Sequence, residues 1–301
     1  MPKLGVTMKP AKFNYVVAKT LAEAIELLCE GDGENRILSG GQSLIPAMNL
    51  RLARPDRLID IANLLELRGI REDEEFLRIG ALMTHDEIGA SQIAKNLIPV
   101  LAEAISHIGH AAIRNRGTIG GSLANADPAA EWPCVLLALS AQITATGPSG
   151  ERVIPAEEFF VTYYTTALSH DEIVTEICIP KKMASLQWSF QEVSRQQGAF
   201  AIALTMAGTT TASDGSIAEM RLAVGGCGSR PVLAIESTTD LPAGTMPNTD
   251  LIEEMAERAL QKLEPSDDAI ASAEDRLNIA RVLITRTLSE VFQLYVERGQ
   301  A

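Results

Sequence analysis

The sequence has 301 residues and a formal net charge of −13 at neutral pH, from 39 acids and 26 bases. That acidity excludes a nucleic-acid binder and a protein drawn to anionic membranes, because both affinities come from Lys and Arg. Hydrophobic content of 46% and charged content of 22% fit a globular protein of two domains, and no apolar run reaches the roughly 20 residues of a membrane helix.

The N-terminus lacks the apolar core of a signal peptide, so the cytoplasm is the expected location. Residues 1–7 read as a short disordered lead-in. Residues 20–30 read as a helix. Thr20 caps it, Glu23 completes a capping box, and Leu21, Ala24, Ile25 and Leu28 share one face. Gly31-Asp32-Gly33 stops it. Arg36-Ile37-Leu38 is a short buried strand that runs into a glycine turn, Ser39-Gly40-Gly41-Gln42-Ser43, and residues 43–52 return to helix. Strands follow at 57–61 and 77–81. Thr84 then caps a short helix, and an amphipathic helix at 98–108 ends at Gly109.

A second glycine turn comes next, Thr118-Ile119-Gly120-Gly121-Ser122. It is followed by a compact apolar helix at 132–139 and a strand starting at Gln142. Ile179-Pro180-Lys181-Lys182 marks a domain boundary, which gives a domain of residues 1–180 (lobes of about 1–62 and 63–180) and one of residues 181–301. Beyond it, 188–195 and 200–211 read as strands. Ser213-Asp214-Gly215-Ser216 is a hairpin turn that returns the chain as 217–224. Helical segments at 251–263 and 267–297 close the chain, the second with an apolar stripe from Ile279 to Tyr295. Short strands alternating with short helices predict an α+β or mixed α/β domain rather than a barrel or sandwich.

Cys29, Cys134, Cys178 and Cys227 form no C-x-x-C pair, so they read as buried thiols rather than disulfide or cluster ligands. His107 and His110 lack a third ligand nearby, so no metal is assigned. His85 and His170 read as cap or surface residues. Tyr163-Tyr164 fits a packing pair or a pair that stacks on a ligand, and Gly225-Gly226-Cys227-Gly228-Ser229-Arg230 a tight loop.

The glycine turns carry the chemistry. Adjacent glycines let backbone N–H groups approach a ligand closely, and such groups favour an anion such as a diphosphate. No lysine follows Gly41, which excludes a P-loop. Gly31-Asp32-Gly33 lacks the last glycine of a dinucleotide fingerprint, where Arg36 stands. The first turn alone is equally a tight strand-to-helix connection. The second is richer: three glycines expose backbone donors, Thr118 and Ser122 add hydroxyls, Arg114 and Arg116 add positive charge, and Glu131 can accept from ligand hydroxyls.

Taken together, the two turns and several further segments resemble the FAD-binding medium subunits of the xanthine dehydrogenase and carbon monoxide dehydrogenase family of molybdenum hydroxylases. The segments are Gly40-Gly41-Gln42-Ser43-Leu44-Ile45-Pro46, Ile79-Gly80-Ala81, Ile113-Arg114-Asn115 through Gly121, Asn125 to Glu131, Thr166-Ala167-Leu168, Asp171-Glu172-Ile173-Val174 and Phe190-Gln191-Glu192-Val193. The resemblance runs from Phe13 to the C-terminus.

It implies a two-lobed α+β FAD domain of the PCMH type, then a smaller C-terminal domain of a three-stranded antiparallel sheet with helices. It implies FAD contacts from Leu38, Ser39, Gly40, Gly41, Gln42, Ser43 and Leu44 in the first turn. In the second they come from Thr118, Gly120, Gly121 and Ser122. Gly109, Glu131, Leu168, Val174 and Phe200 complete the set.

The resemblance further implies a partner subunit with a molybdenum cofactor and another with two [2Fe–2S] clusters, in a dimer of heterotrimers. The role is electron transfer, with no catalytic acid or base in this chain. Two departures stand out. Some relatives have a lysine where this chain has Gln191-Glu192, and an acid where it has Ala199. Two other readings stay open: a self-contained flavin oxidase, and a binding module whose glycine turns are only structural.

Overall fold

The computed structural model describes residues 9–236 and 240–293. The expected lead-in, and the end of the last helix with Tyr295, lie outside the described residues.

The first lobe is a three-stranded parallel sheet, ordered β1 (Asn14–Val17), β3 (Arg57–Asp60), β2 (Asn35–Leu38). Helix α1 (Leu21–Cys29) covers it and buries Ala24, Ile25 and Leu28, the predicted face. Thr20 Oγ1 accepts from Glu23 N–H, as expected of the cap. The Glu23 carboxylate instead accepts from Lys19 N–H at 2.7 Å, one residue before the cap, so no capping box forms. Parallel pairing brings the ends of β2 and β3 level, with Leu38 opposite Asp60. Between them the chain makes the first glycine turn and the short helix α2 (Leu44–Asn49).

The second lobe is built on a five-stranded antiparallel sheet. Its strands are β4 (Ile70–Glu72), β5 (Phe76–Gly80), β6 (Gln142–Gly147), β7 (Gly150–Pro155) and β10 (Ile173–Pro180), in the order β4-β5-β10-β6-β7. A helical layer lies between β5 and β6. It comprises α3 (His85–Ala90), α4 (Gln92–Leu97), α5 (Val100–His107), α6 (Ala111–Arg114), α7 (Ile119–Asn125) and α8 (Glu131–Ala138). Helix α9 (Ala156–Phe159) and a small ribbon of β8 (Phe160–Thr162) with β9 (Thr165–Thr166) complete it. Every residue of α8 is buried, which is why its sequence shows no polar face.

The C-terminal domain begins with β11 (Gln187–Ser194), β12 (Ala201–Thr211) and β13 (Ile217–Gly225), the three antiparallel strands expected. A fourth strand, β14 (Val232–Glu236), extends the sheet beyond β13. One face is covered by α10 (Thr249–Leu260) and α11 (Ala273–Val291). The other face carries Phe190, Leu204, Met206 and Ala223 into the same core as α5 and α8.

Arg221 of β13 pins that junction. Buried at 4% exposure, it donates to the carbonyls of Ala138 (2.9 Å) and Leu137 (3.5 Å) at the end of α8, and pairs with Glu157 and Glu236. No helix among the described residues is long and apolar enough to cross a membrane.

Candidate functional site

The two glycine turns meet. Ser39 Oγ and Thr118 Oγ1 share a hydrogen bond of 2.7 Å across 79 residues of sequence. Gly40 lies so close to the second lobe that a Cβ there would stand 2.1 Å from the Arg116 carbonyl oxygen and 2.9 Å from Gly117 Cα. Gly41 takes φ +72°, which turns the chain from β2 toward α2. The result is a cleft of ≈ 370 Å³ at the C-terminal edge of the parallel sheet. Leu38, Ser39, Gly40, Gly41 and Gln42 form one wall. Ile45, Pro46, Asp60, Ala62 and Arg116 form the rest.

The donors in this cleft are unevenly distributed. The backbone N–H groups of Gly40, Gly41, Gln42 and Ser43 have no hydrogen-bond partner among the described residues. The second turn differs from expectation. Ile119 N–H donates to Met83 O, Gly120 N–H to Ala81 O, Gly121 N–H to Thr118 Oγ1 and Ser122 N–H to Thr118 O. Its glycines therefore serve close packing, because a Cβ on Gly120 would lie 2.6 Å from Ala81 Cβ. What the second turn adds is shape, the Ser39–Thr118 bond and the adjacent Arg116.

The two arginines also separate. Arg114 is tied to Asp86 at 3.0 Å and to the carbonyls of Ile108 and Gly109. Arg116 is exposed on the cleft wall and has no acidic partner among the described residues. Asp60, the one acid of the lining, accepts from Ala62 N–H and the Tyr15 hydroxyl, which spread its charge.

Behind the second turn, His85 is buried rather than on the surface. Trp132 Nε1 donates to His85 Nδ1 at 3.0 Å, which fixes the neutral ring with its proton on Nε2. Burial holds His85 well below the usual histidine range, at about 4. Gly117 has no room for a Cβ, which would lie 2.8 Å from His85 Nε2. Trp132→Phe is expected to cost about 1–3 kcal/mol by leaving this buried acceptor unpaired, read by chemical unfolding.

The second set of expected residues lies at the domain junction. Gly109 takes φ +49°, and Gly198 packs so tightly on it that a Cβ at 198 would come 2.4 Å from the Gly109 carbonyl oxygen. Ala201 N–H donates to Ala129 O, and Gly226 N–H to Pro128 O, so the C-terminal domain grips the loop that leads into Glu131. Phe200 is half-exposed beside this loop, and Tyr164 donates to Asp127 at 3.1 Å. Leu168 and Val174 line neither turn. Leu168 packs on the core of the second lobe and Val174 is buried within β10.

Glu131 is buried at the first position of α8, where burial, with Asp127 nearby, pushes its carboxyl up to about 7. Glu192 is the residue the sequence marked only as a departure. Alternation along β11 turns it inward with Phe190, whereas Gln191 faces the other way and donates to Glu290. Burial and the neighbouring Glu131 push Glu192 up to about 8. Both values are raised, so the folded protein binds protons here that the unfolded chain releases above about pH 4.5. Stability then falls as pH rises through the range from about 4.5 to about 8. Glu192→Gln is expected to raise the melting temperature more at about pH 9 than at about pH 5. Equal shifts at both would contradict the assignment.

Comparison with known proteins identifies the class. Residues 11–182 match the FAD-binding domain of molybdopterin dehydrogenases, and residues 188–291 match the carbon monoxide dehydrogenase flavoprotein C-terminal domain. The chain belongs to the FAD-binding medium subunits of the molybdenum hydroxylases, and is thus a subunit of an oxidoreductase.

It is 38% identical to the 6-hydroxypseudooxynicotine dehydrogenase complex subunit alpha of Paenarthrobacter nicotinovorans, over 94% of this chain and 95% of the relative. It is 32% identical to the carbon monoxide dehydrogenase medium chain of Hydrogenophaga pseudoflava, over 94% and 98%. Its fold superposes on quinoline 2-oxidoreductase from Pseudomonas putida 86 with a TM-score of 0.89 and 32% identity, covering 95% of this chain and all of that one.

Proposed function

We propose that this chain carries FAD for electron transfer within a molybdenum, iron–sulfur and flavin dehydrogenase complex. Electrons from [2Fe–2S] clusters on a small partner subunit pass through this chain to an external acceptor. A large partner holds the molybdenum cofactor and the substrate. The assembly is a dimer of heterotrimers in the cytoplasm. The family and the relatives' names as medium chains or complex subunits support the division of labour.

The observation that carries the reading is the cleft at the first glycine turn. Four consecutive N–H groups and an Arg116 guanidinium that have no partners among the described residues, with a glycine wall, fit a diphosphate. Ser39, Gly40, Gly41, Gln42 and Ser43, with Arg116, would hold it. Leu38 and Leu44 flank them. Thr118, Gly120, Gly121 and Ser122 shape the facing wall. Gly109, Glu131 and Phe200, with Leu168 and Val174, belong to the remainder of the same extended site. FAD supplies one- and two-electron redox chemistry when bound, and the protein supplies orientation and electrostatics.

Removal of the Arg116 charge tests this. Arg116→Ala is expected to weaken FAD binding about tenfold or more at low salt, and by less at high salt, as titration of flavin fluorescence would show. An unchanged affinity at low salt would place the diphosphate elsewhere.

A further inference from the structure

Glu192 poses a problem that the cofactor site does not solve. Its side chain is 1% exposed, and Oε2 is the one buried side-chain oxygen or nitrogen among the described residues with no hydrogen-bond partner. The Ser194 hydroxyl offers the carboxyl one hydrogen bond, but a carboxylate whose other oxygen is left bare in such a place is costly. A carboxylic acid is tolerable, since it carries no charge and its proton needs only an acceptor.

The surroundings supply one acceptor and one reason to stay protonated. Nδ1 of His107, on α5, lies 3.9 Å from Glu192 Oε2. The His107 ring packs edge-on against Phe190, and burial lowers its pKa, so it faces Glu192 neutral. Glu131, at the start of α8, raises Glu192 further by like charge, and Asp127 does the same to Glu131. Strand β12, on the flank of β11, brings no titratable group. Glu290 of α11 is bonded to Ser189 and Gln191, which lie on the opposite face of β11. No cation therefore offsets the two buried acids from any of these elements.

His107 differs from both acids in one respect. Its side chain is 37% exposed, so it reaches water while they do not.

The geometry points to a proton-exchange site in the wall between the two domains, in which Glu192 holds a proton, favoured by the charge of Glu131, and His107 connects it to solvent. A proton leaves Glu192 Oε2 for Nδ1 of His107, and the imidazole releases its Nε2 proton to water; no electrons move. The 3.9 Å gap is one that a small rotation of either side chain or a bridging water closes. The use of such a site is to feed or drain protons where a flavin changes charge, and this use, though not the site, rests on the FAD reading above.

Infrared spectra of the full-length chain test the site, following the carboxylic C=O band between about pH 5 and about pH 10. A band is expected to persist above neutral pH, and Glu192→Gln is expected to lose the part that persists above about pH 7, where Glu131 has itself titrated. In Glu131→Gln its midpoint should fall by about one unit or more, because the like charge is gone. After a stopped-flow jump from about pH 6 to about pH 9.5, the band should decay about tenfold slower in His107→Phe than in the unmutated chain.

No carboxylic band above about pH 6, a midpoint unmoved by Glu131→Gln, or an equal decay in His107→Phe would overturn the proposal. Glu131→Gln and His107→Phe keep it falsifiable if Glu192→Gln does not fold. None of these measurements needs FAD. Loading the same protein with FAD reports separately on the cofactor reading.

Discussion

Gly40→Ala is expected to strip the chain of FAD and to destabilise it by about 3 kcal/mol or more. The reason is space rather than backbone conformation. The added Cβ would lie 2.1 Å from the Arg116 carbonyl oxygen and 2.8 Å from its carbon. Both are backbone atoms of a turn fixed from behind by His85, Gly117 and the bonds of α7 to Ala81 and Met83. They cannot yield as the tip of a flexible side chain would, so the two lobes must separate. Separation breaks the Ser39–Thr118 bond and opens the cleft at the point where the free N–H groups converge. The flavin-to-protein absorbance ratio of purified protein, together with a denaturant curve, reads both effects. Gly228→Ala is the matched control, with nothing nearer than 3.7 Å, and is expected to keep both near normal. Full flavin content in Gly40→Ala would show that the lobes tolerate separation.

Arg221→Met is expected to cost about 1–3 kcal/mol, the range for leaving buried hydrogen-bonding groups without a donor. The guanidinium is almost fully buried and joins three parts of the molecule: the last carbonyls of α8, Glu157 at α9 and Glu236 on β14. Methionine fills the volume but supplies none of the five donors. The carbonyls of Leu137 and Ala138 would lose a donor at the end of a fully buried helix. Because Arg221 bridges the two domains, the loss should also appear as earlier exposure of the interface, with protease cutting between 181 and 187 before global unfolding. A denaturation midpoint within error of the unmutated chain would contradict this.

Much of this architecture was legible from residue order. Thr20 and Thr84 announced helix starts, and Gly109 and Gly31 announced stops. The alternation of β11 to β13 and the Asp214-Gly215 turn read as a meander because one face packs on the second lobe and the other on α10 and α11. Strands β1, β4, β7, β8, β9, β10 and β14 went unread; β10, at the centre of its sheet, is buried on both faces and shows no alternation. β1 and β4 are three or four residues long and largely exposed, and β7 buries only Ile154, so none shows a clear period. β14 follows directly on the Cys227 loop, whose glycines masked it.

At the site, spacing could show that the chain turns at Gly40, but it read Gly120 as a turn where the structure has the first residues of α7. It could not show that the first turn keeps its N–H groups free while the second spends them on Ala81, Met83 and Thr118. That distinction depends on contacts between distant segments. The same holds for Asp60, which reaches the cleft only because parallel pairing sets it level with Leu38. It holds too for His85, whose burial depends on Trp132.

The first glycine turn is proposed to hold the diphosphate of FAD. It is tested by comparing the affinities of the full-length, flavin-free chain and of Arg116→Ala for FAD and for riboflavin, which shares the ring but lacks the diphosphate and the adenosine, so that only the FAD affinity should fall in the variant. Several charge-assisted bonds to the diphosphate should make FAD bind about a thousandfold more tightly. Equal affinities, or no flavin complex at all, would contradict the account.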